Sequence, residues 1–196
     1  IVDKDRPGFS VGKVERKMGV HGLTNTELLF DDCHIPRANL LGREGDGFRI
    51  AMRTLDLTRP TVAAQALGIA QGAFDYALNY AQQRVQFGHP IIQFQAIQFM
   101  LVDMAIEIEA ARQLTYKAAT LIDQDGPEVT RFGAMCKCFA SDVAMKVTTN
   151  AVQVLGGYGY MKDHPVERMM RDAKLSQIWE GTNQIQRLVI GRTFLP

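Results

Sequence analysis

Three long segments of this chain repeat apolar residues at steps of three and four, the spacing that gives an α-helix one apolar face. They cover residues 48–86, about 93–123 and about 128–155 of the 196-residue chain. Pro60 lies inside the first segment and is expected to kink that helix, because proline lacks an N–H donor and crowds the preceding turn. Long helices with short connections pack as antiparallel bundles, so the sequence predicts a mainly α-helical fold with a four-helix-type bundle.

Two shorter helices and a β segment complete the expected organisation. Helical spacing returns over about residues 166–174 and 182–192. Near the start, residues 9–14 alternate in polarity and residues 27–32 form a short apolar run closed by acids, as strands do. So few strands leave sheet edges unpaired, and we expect further strands to precede Ile1. We therefore interpret residues 1–44 as the end of a β domain and residues 45–196 as a helical bundle domain.

Charge and cysteine content exclude several classes of function. Lys and Arg number 22 against 21 Asp and Glu, and a net charge of +1 gives no general attraction for nucleic acid or an anionic membrane. No apolar run approaches the roughly 20 residues needed to span a bilayer. The three cysteines, Cys33, Cys136 and Cys138, form neither a disulfide framework nor a ligand spacing, and the four histidines are scattered, so no metal site is predicted.

The connection before the last helix holds the most informative motif, Trp-Glu-Gly-Thr-Asn-Gln at residues 179–184. One interpretation is structural, because a glutamate near a helix start is stabilised by the helix dipole. The other is chemical. Gly181 would let the carboxylate and the N–H of Glu180 face a ligand together, and Trp179 would exclude water, as suits a general base. The residues alone leave both interpretations open.

Three further features can each be interpreted either as structural or as part of a binding site. The glycines within residues 153–159 either end the third helix or let a large ligand such as a nucleotide approach the backbone. Arg84, in the last turn of the first long helix, either complements the helix dipole or pairs with a phosphate. Asp56 and Arg59 lie three residues apart on one helical face, where a surface ion pair is the default and a cleft lining is the alternative.

Taken together, these segments resemble the acyl-CoA dehydrogenase family of flavoenzymes, and most closely its straight-chain, medium-chain-like members. The resemblance covers only the C-terminal half of such an enzyme, namely the end of the middle β domain and the helical domain. Each matching string is short, but their common order and spacing make the resemblance specific. The strings lie at residues 17–19, 29–32, 55–60, 84–88, 94–99, 153–159, 170–174 and 178–187.

The resemblance implies FAD-dependent α,β-dehydrogenation of a fatty acyl-CoA to the trans-2-enoyl-CoA, as in fatty acid β-oxidation and lipid metabolism. Glu180 falls on the catalytic base, which removes the α-proton while flavin N5 accepts the β-hydride. Some relatives carry the base where this chain has Thr58, which cannot do that work. The alternatives are an acyl-CoA oxidase or another flavoenzyme on the same scaffold, or a non-catalytic helical subunit that serves assembly.

The resemblance also assigns binding roles. Asp56, Arg59 and Gly181 match positions that contact the CoA portion of the substrate, and Thr182, Asn183 and Gln184 match contacts to the flavin nucleotide. Phe94 replaces a histidine found in some relatives. Residues that match contacts to FAD from a neighbouring subunit are Arg84, Val85, Gln86, Phe87, Phe94, Gln95, Gln153, Val154, Leu155, Gly156 and Gly157.

The family's assembly and partners extend these expectations. A homotetramer with FAD sites shared between subunits is implied, together with electron transfer to an electron-transfer flavoprotein. Bacterial cytoplasm and the mitochondrial matrix both fit. Because most of the β domain contributes to flavin binding in this family, we expect residues 1–196 alone to retain FAD poorly and to turn over nothing.

Overall fold

The computed structural model describes residues 1–195, and it divides into two compact units. The first unit is Ile1–Thr54, and the second begins at Leu55. Each unit has its own internal contacts, and each is described separately below. The domain boundary that the sequence places after residue 44 stays a prediction.

The first unit contains a two-stranded antiparallel sheet. Strand β1, Phe9–Val14, pairs with β2, Thr26–Phe30, and an irregularity in register falls between Val11 and Val14. Phe9 lies opposite Phe30, and their ring centroids are 5.3 Å apart. Two strands cannot cover both of their faces, and most of their apolar side chains accordingly remain exposed. Both predicted strands are confirmed.

Within the described residues five α-helices follow, as the apolar spacing predicts. They are α1 (Gly47–Gln83), α2 (Gln95–Asp123), α3 (Val129–Leu155), α4 (Val166–Ser176) and α5 (Asn183–Arg192). Helix α1 continues through the buried Pro60. A short hairpin of β3 (Val85–Gln86) and β4 (His89–Pro90) joins α1 to α2. None of the helices formed by residues 1–195 combines the length and hydropathy that a bilayer-spanning segment requires.

Small side chains of α1 allow its neighbours to pack closely. Six alanines at three- and four-residue steps have no exposed surface, namely Ala63, Ala66, Ala70, Ala73, Ala77 and Ala81. Larger residues from the other helices complete the core, including Met104 and Ile108 of α2 and Val147 of α3. Burying each of these larger side chains contributes about 1.5–3 kcal/mol to the stability of the bundle.

Helix α3 is the central element of the second unit, because it packs against α2, α4 and α5. Its N-terminal half faces the connection between α4 and α5, and its C-terminal end leads into a bend of glycine residues. Ser141 and Leu155 lie 14 positions apart, which corresponds to about 21 Å along the helix axis. Helix α3 therefore places two potential binding regions well apart.

Candidate active site

Glu180 lies in the short connection between α4 and α5, where the backbone bends sharply. Its φ is 54°, and that of Gly181 is 88°, so two successive residues occupy the left-handed region. Glycine adopts this region freely, but for a glutamate it costs on the order of 1 kcal/mol. The surrounding structure must therefore hold Glu180 in place, and such strained residues cluster at functional sites.

The carboxylate of Glu180 is partly buried and contacts helix α1. Thr58 Oγ1 donates a hydrogen bond to Glu180 Oε2 at 2.8 Å, joining residues 122 positions apart in the chain. Residues 58 and 180 therefore share one site.

Two fully buried side chains hold the bend, and sequence reasoning missed both. Gln186 Nε2 donates to the carbonyl oxygens of Glu180 and Gly181, at 3.0 and 2.8 Å. Lys137 Nζ donates to the carbonyl oxygen of Gly181 at 2.9 Å. Both side chains are 0% exposed. The sequence did contain an indication of Lys137, because a charged residue is unusual on the small-residue face of α3. Lys137 occupies that face seven residues before Ala144.

A second set of buried hydrogen bonds fixes Asn183, the first residue of α5. Its Oδ1 accepts from Lys137 Nζ at 2.9 Å and from Ser141 Oγ at 3.1 Å. Its Nδ2 donates to Asp142 Oδ1 at 2.8 Å. The Asn183 side chain is thus committed to joining α5 to α3. Its predicted contact with the flavin nucleotide stays a prediction.

Burial in this network lowers the pKa of Lys137 to about 8, because leaving water disfavours the charged amine. The nearby Cys138, Asp142 and Glu180 act against this shift, whereas the positive charge of Arg59 adds to it. Lys137 therefore belongs electrostatically to the same site as Glu180.

A cleft of about 400 Å³ opens beside the start of α5. It contains Thr182, Asn183 and Gln184, the three residues that the sequence assigns to the flavin nucleotide. Its wall includes the cationic side chains of Lys174 and Arg187. Arg187 is paired with Asp142, at 3.0 Å between Nη2 and Oδ2. The remaining lining residues are Asp142 itself, Gln177 and Ile178.

Asp56 and Arg59 form the expected ion pair, with 2.5 Å between Asp56 Oδ1 and Arg59 Nη1, but the expectation of a surface position was wrong. Their side chains are only 15% and 5% exposed. The cause is helix α3, whose Gly133 approaches so closely that an added Cβ would lie 3.2 Å from the Asp56 carbonyl oxygen. Thr130 Oγ1 also donates to Asp56 Oδ2, at 2.6 Å. Contacts of this pair with CoA stay a prediction.

The glycines after α3 serve distinct purposes. Gly156 ends the helix with a φ of 60°, and its N–H bonds to the carbonyl oxygen of Gln153. Gly159 is required by packing, because a Cβ there would lie 2.4 Å from the carbonyl oxygen of Val152. A Cβ on Gly157 would meet nothing within 4 Å. The helix-ending interpretation therefore applies to Gly156, whereas the approach of a ligand to the open backbone at Gly157 stays a prediction.

Gly156 and Gly157 line a cavity of about 500 Å³ together with Arg84. The Arg84 guanidinium lies 5.3 Å from the ring centroid of Tyr158, which fixes the cation at the cavity wall. Gln86, Val154 and Leu155 also line this cavity, so six residues of the predicted neighbouring-subunit set converge here. The other lining residues are Tyr80, Ile91, Tyr158 and Met161.

The rest of that predicted set lies outside this cavity's lining. Val85, Phe87, Gln95 and Gln153 are exposed, and Phe87 is 89% exposed. Phe94 is partly buried and packs against the His89 ring at 4.7 Å between centroids. Within residues 1–195, no group of three or more His, Cys, Asp or Glu side chains could hold a metal ion.

Comparison with known proteins places these sites in a family. The family model described as "Acyl-CoA dehydrogenase, C-terminal domain" matches residues 45–195. An acyl-CoA dehydrogenase of Bacillus subtilis (strain 168) is 57% identical over 195 residues, which is 100% of this chain and 51% of the relative. The chain therefore spans about half the length of the curated relatives it matches.

Solved structures give the same result. Butyryl-CoA dehydrogenase from Megasphaera elsdenii superposes with a TM-score of 0.98 and 53% identity, covering 100% of this chain and 51% of that one. A structure from work on the electron transferring flavoprotein of Acidaminococcus fermentans and flavin-based electron bifurcation has a TM-score of 0.97 and 57% identity, covering 99% and 51%. With a matching family model over most of its length and relatives identical at more than half of their aligned positions, the chain belongs to the acyl-CoA dehydrogenase family.

Proposed function

We propose that this chain forms the C-terminal half of an enzyme that oxidises a fatty acyl-CoA thioester to the trans-2-enoyl-CoA. Acyl-CoA dehydrogenases are FAD-dependent oxidoreductases. The observation that carries the proposal is the Glu180 carboxylate, partly buried on a clamped left-handed bend and hydrogen-bonded to Thr58. Assembly alone gives no reason to hold a carboxylate in strained backbone at the meeting point of three helices.

In this proposal Glu180 removes the α-proton of the thioester. That proton is too weakly acidic for a carboxylate unless the oxygen of the developing enolate is stabilised. The backbone N–H of Glu180 is suited to that task, because among residues 1–195 it donates to no other backbone group. FAD, when bound, supplies the acceptor for the hydride that leaves the β-carbon.

Two separate clefts suit the parts of FAD that two subunits would contact. Thr182 and Gln184 line the cleft beside α5, whose wall also carries the cationic side chains of Lys174 and Arg187. The cavity at Arg84 combines a fixed guanidinium with open glycine backbone, a combination that suits a phosphate group. Because α3 separates the two by about 20 Å, we assign the first to this subunit's flavin and the second to a neighbour's.

The same reasoning extends to assembly and electron transfer. A flavin site completed by a neighbouring subunit requires an oligomer, and a homotetramer is the state we propose. We also propose an electron-transfer flavoprotein as the electron acceptor, supported by the A. fermentans structure described above. The bacterial relatives favour the bacterial cytoplasm over the mitochondrial matrix as the location.

Anaerobic mixing of the full-length flavoprotein with a series of acyl-CoA thioesters tests the proposal. We expect the absorbance of oxidised flavin to disappear and one equivalent of 2-enoyl-CoA to form. Rapid reoxidation by an electron-transfer flavoprotein, and slow reoxidation by oxygen, would identify a dehydrogenase. Rapid reoxidation by oxygen would instead identify an oxidase. A colourless full-length protein would contradict the proposal and favour an assembly subunit.

A further inference from the structure

We infer that Lys137 is a positioning residue that holds the Glu180 bend in its reactive geometry, an inference that rests on the proposed function. Its ammonium group joins the bend to the start of α5, through the Gly181 carbonyl oxygen and the Asn183 Oδ1, each at 2.9 Å. Neither the family resemblance nor the sequence motifs assign a role to this lysine.

The burial of Lys137 is the first argument for this role. The residue is 0% exposed, on a face of α3 whose other members are small, including Ala134 and Ala144. Removing an ammonium group from water costs several kcal/mol, which its hydrogen bonds only partly offset. A methionine would fill the same volume without that cost, so the stability of the bundle does not explain a lysine here.

The position of its acceptors is the second argument. Lys137 donates to the residue directly after Glu180, in a connection where two successive residues, Glu180 and Gly181, are left-handed. Gln186 donates to the same carbonyl oxygen at 2.8 Å, so two buried donors fix the orientation of one peptide group. Reorientation of that peptide would move the neighbouring carboxylate, and misplacement of a catalytic group by about 1 Å can cost on the order of 100-fold in rate.

The same hydrogen bonds show why Lys137 can be removed without unfolding the site. Without Lys137, the Gly181 carbonyl oxygen keeps Gln186 as a donor, and Asn183 Oδ1 keeps Ser141 at 3.1 Å. Neither acceptor is left without a partner. The variant therefore avoids the free-energy cost of leaving a buried acceptor without a hydrogen bond. Lys137→Met should therefore fold and retain flavin, but with a bend that is free to shift.

The test compares Lys137→Met with Lys146→Met in the full-length flavoprotein. Lys146 lies on the same helix, and its side chain is 56% exposed, which makes it a matched control. Anaerobic stopped-flow mixing with increasing acyl-CoA separates the dissociation constant of the thioester from the limiting rate of flavin reduction. We expect Lys137→Met to lower the limiting rate by at least about 10-fold, with the dissociation constant within about 3-fold of wild type.

Each other outcome has a defined meaning. A wild-type limiting rate in Lys137→Met overturns the inference, as does weakened binding without a slower rate. If Lys137→Met loses flavin, Gln186→Met decides, because it removes the other donor to the same carbonyl oxygen and carries the same expectation. If wild type and Lys146→Met also fail to reduce flavin, the proposed function fails instead, so the two failures are distinguishable.

Discussion

A single charged side chain, Lys137, gives the site a pH dependence that can be measured in the folded protein. Its ordinary pKa is 10.5, and burial lowers the pKa to about 8. Below pH 8 the amine is protonated in both the folded and unfolded states, so the full cost of burying the charge is present. Between pH 8 and 10.5 the unfolded state binds more protons than the folded state, and stability from this group rises with pH.

We therefore predict that wild type gains thermal stability relative to Lys137→Met as the pH rises from 7 to about 10. Each unit of pKa difference corresponds to about 1.4 kcal/mol, so a change of several degrees in the relative midpoint is within range. Thermal unfolding of both proteins across this pH range is the measurement. Parallel midpoints at every pH would show that Lys137 does not titrate as its burial requires.

Glu180 could be singled out from a sequence motif, whereas the contacts of Lys137 could not be predicted. Glu180 stands in a motif whose glycine and tryptophan neighbours mark it, and its partial burial agrees with the expected crevice. Lys137 has no motif, and its role depends on contacts with residues 181 and 183, more than 40 positions away. The buried state of the Asp56–Arg59 pair was equally hidden, since it follows from the close approach of Gly133.

Among elements, the helices were predictable because each carries its own apolar spacing, whereas their ends depended on local turns. Helix α2 begins at Gln95, two residues after the predicted start, because Ile91–Gln93 form a 3-10 turn. Helix α1 ends at Gln83 because Val85 begins the short hairpin. The bend after α3 could be recognised from its glycines. Which of these glycines is required by packing could not be predicted, because it depends on tertiary contacts.

The glycine bend after α3 offers a matched pair of substitutions. Gly159→Ala would force a methyl group to 2.4 Å from the Val152 carbonyl oxygen, so we predict a loss of about 1–3 kcal/mol in stability. Gly157→Ala meets open space and should leave the unfolding midpoint unchanged, while its methyl group enters the Arg84 cavity and weakens FAD retention. Unfolding midpoints and flavin content measure both effects. Equal midpoints for the two variants would refute the packing assignment.

In the whole molecule, each flavin site of the proposed enzyme would draw on residues of two subunits. Glu180 would act on the flavin of its own subunit, and Arg84 would contact the flavin of a neighbour. The sequence resemblance supplied this division, and the separation of the two clefts along α3 agrees with it. The composition of the chain alone could not have indicated it, because sharing a site between subunits leaves no local pattern.

Co-expression of Glu180→Gln and Arg84→Glu subunits tests the sharing of sites. In a mixed pair, one site would combine both altered residues, and the other would combine both native ones. Random pairing then leaves about a quarter of the sites native, so we predict recovery toward a quarter of wild-type activity from two inactive parents. If Glu180 and Arg84 served the same subunit's flavin, every site would carry one alteration and no activity would return.

The most direct measurement for the central claim is the rate of flavin reduction in full-length Glu180→Gln, followed by anaerobic stopped-flow with a reactive acyl-CoA. Glutamine preserves the size of the side chain and can still accept from Thr58, but it cannot accept the α-proton. We expect a rate lower by roughly 100- to 10,000-fold, with flavin retained and with the exposed-site control Glu109→Gln unchanged. Reduction of flavin by Glu180→Gln at the wild-type rate would contradict this claim.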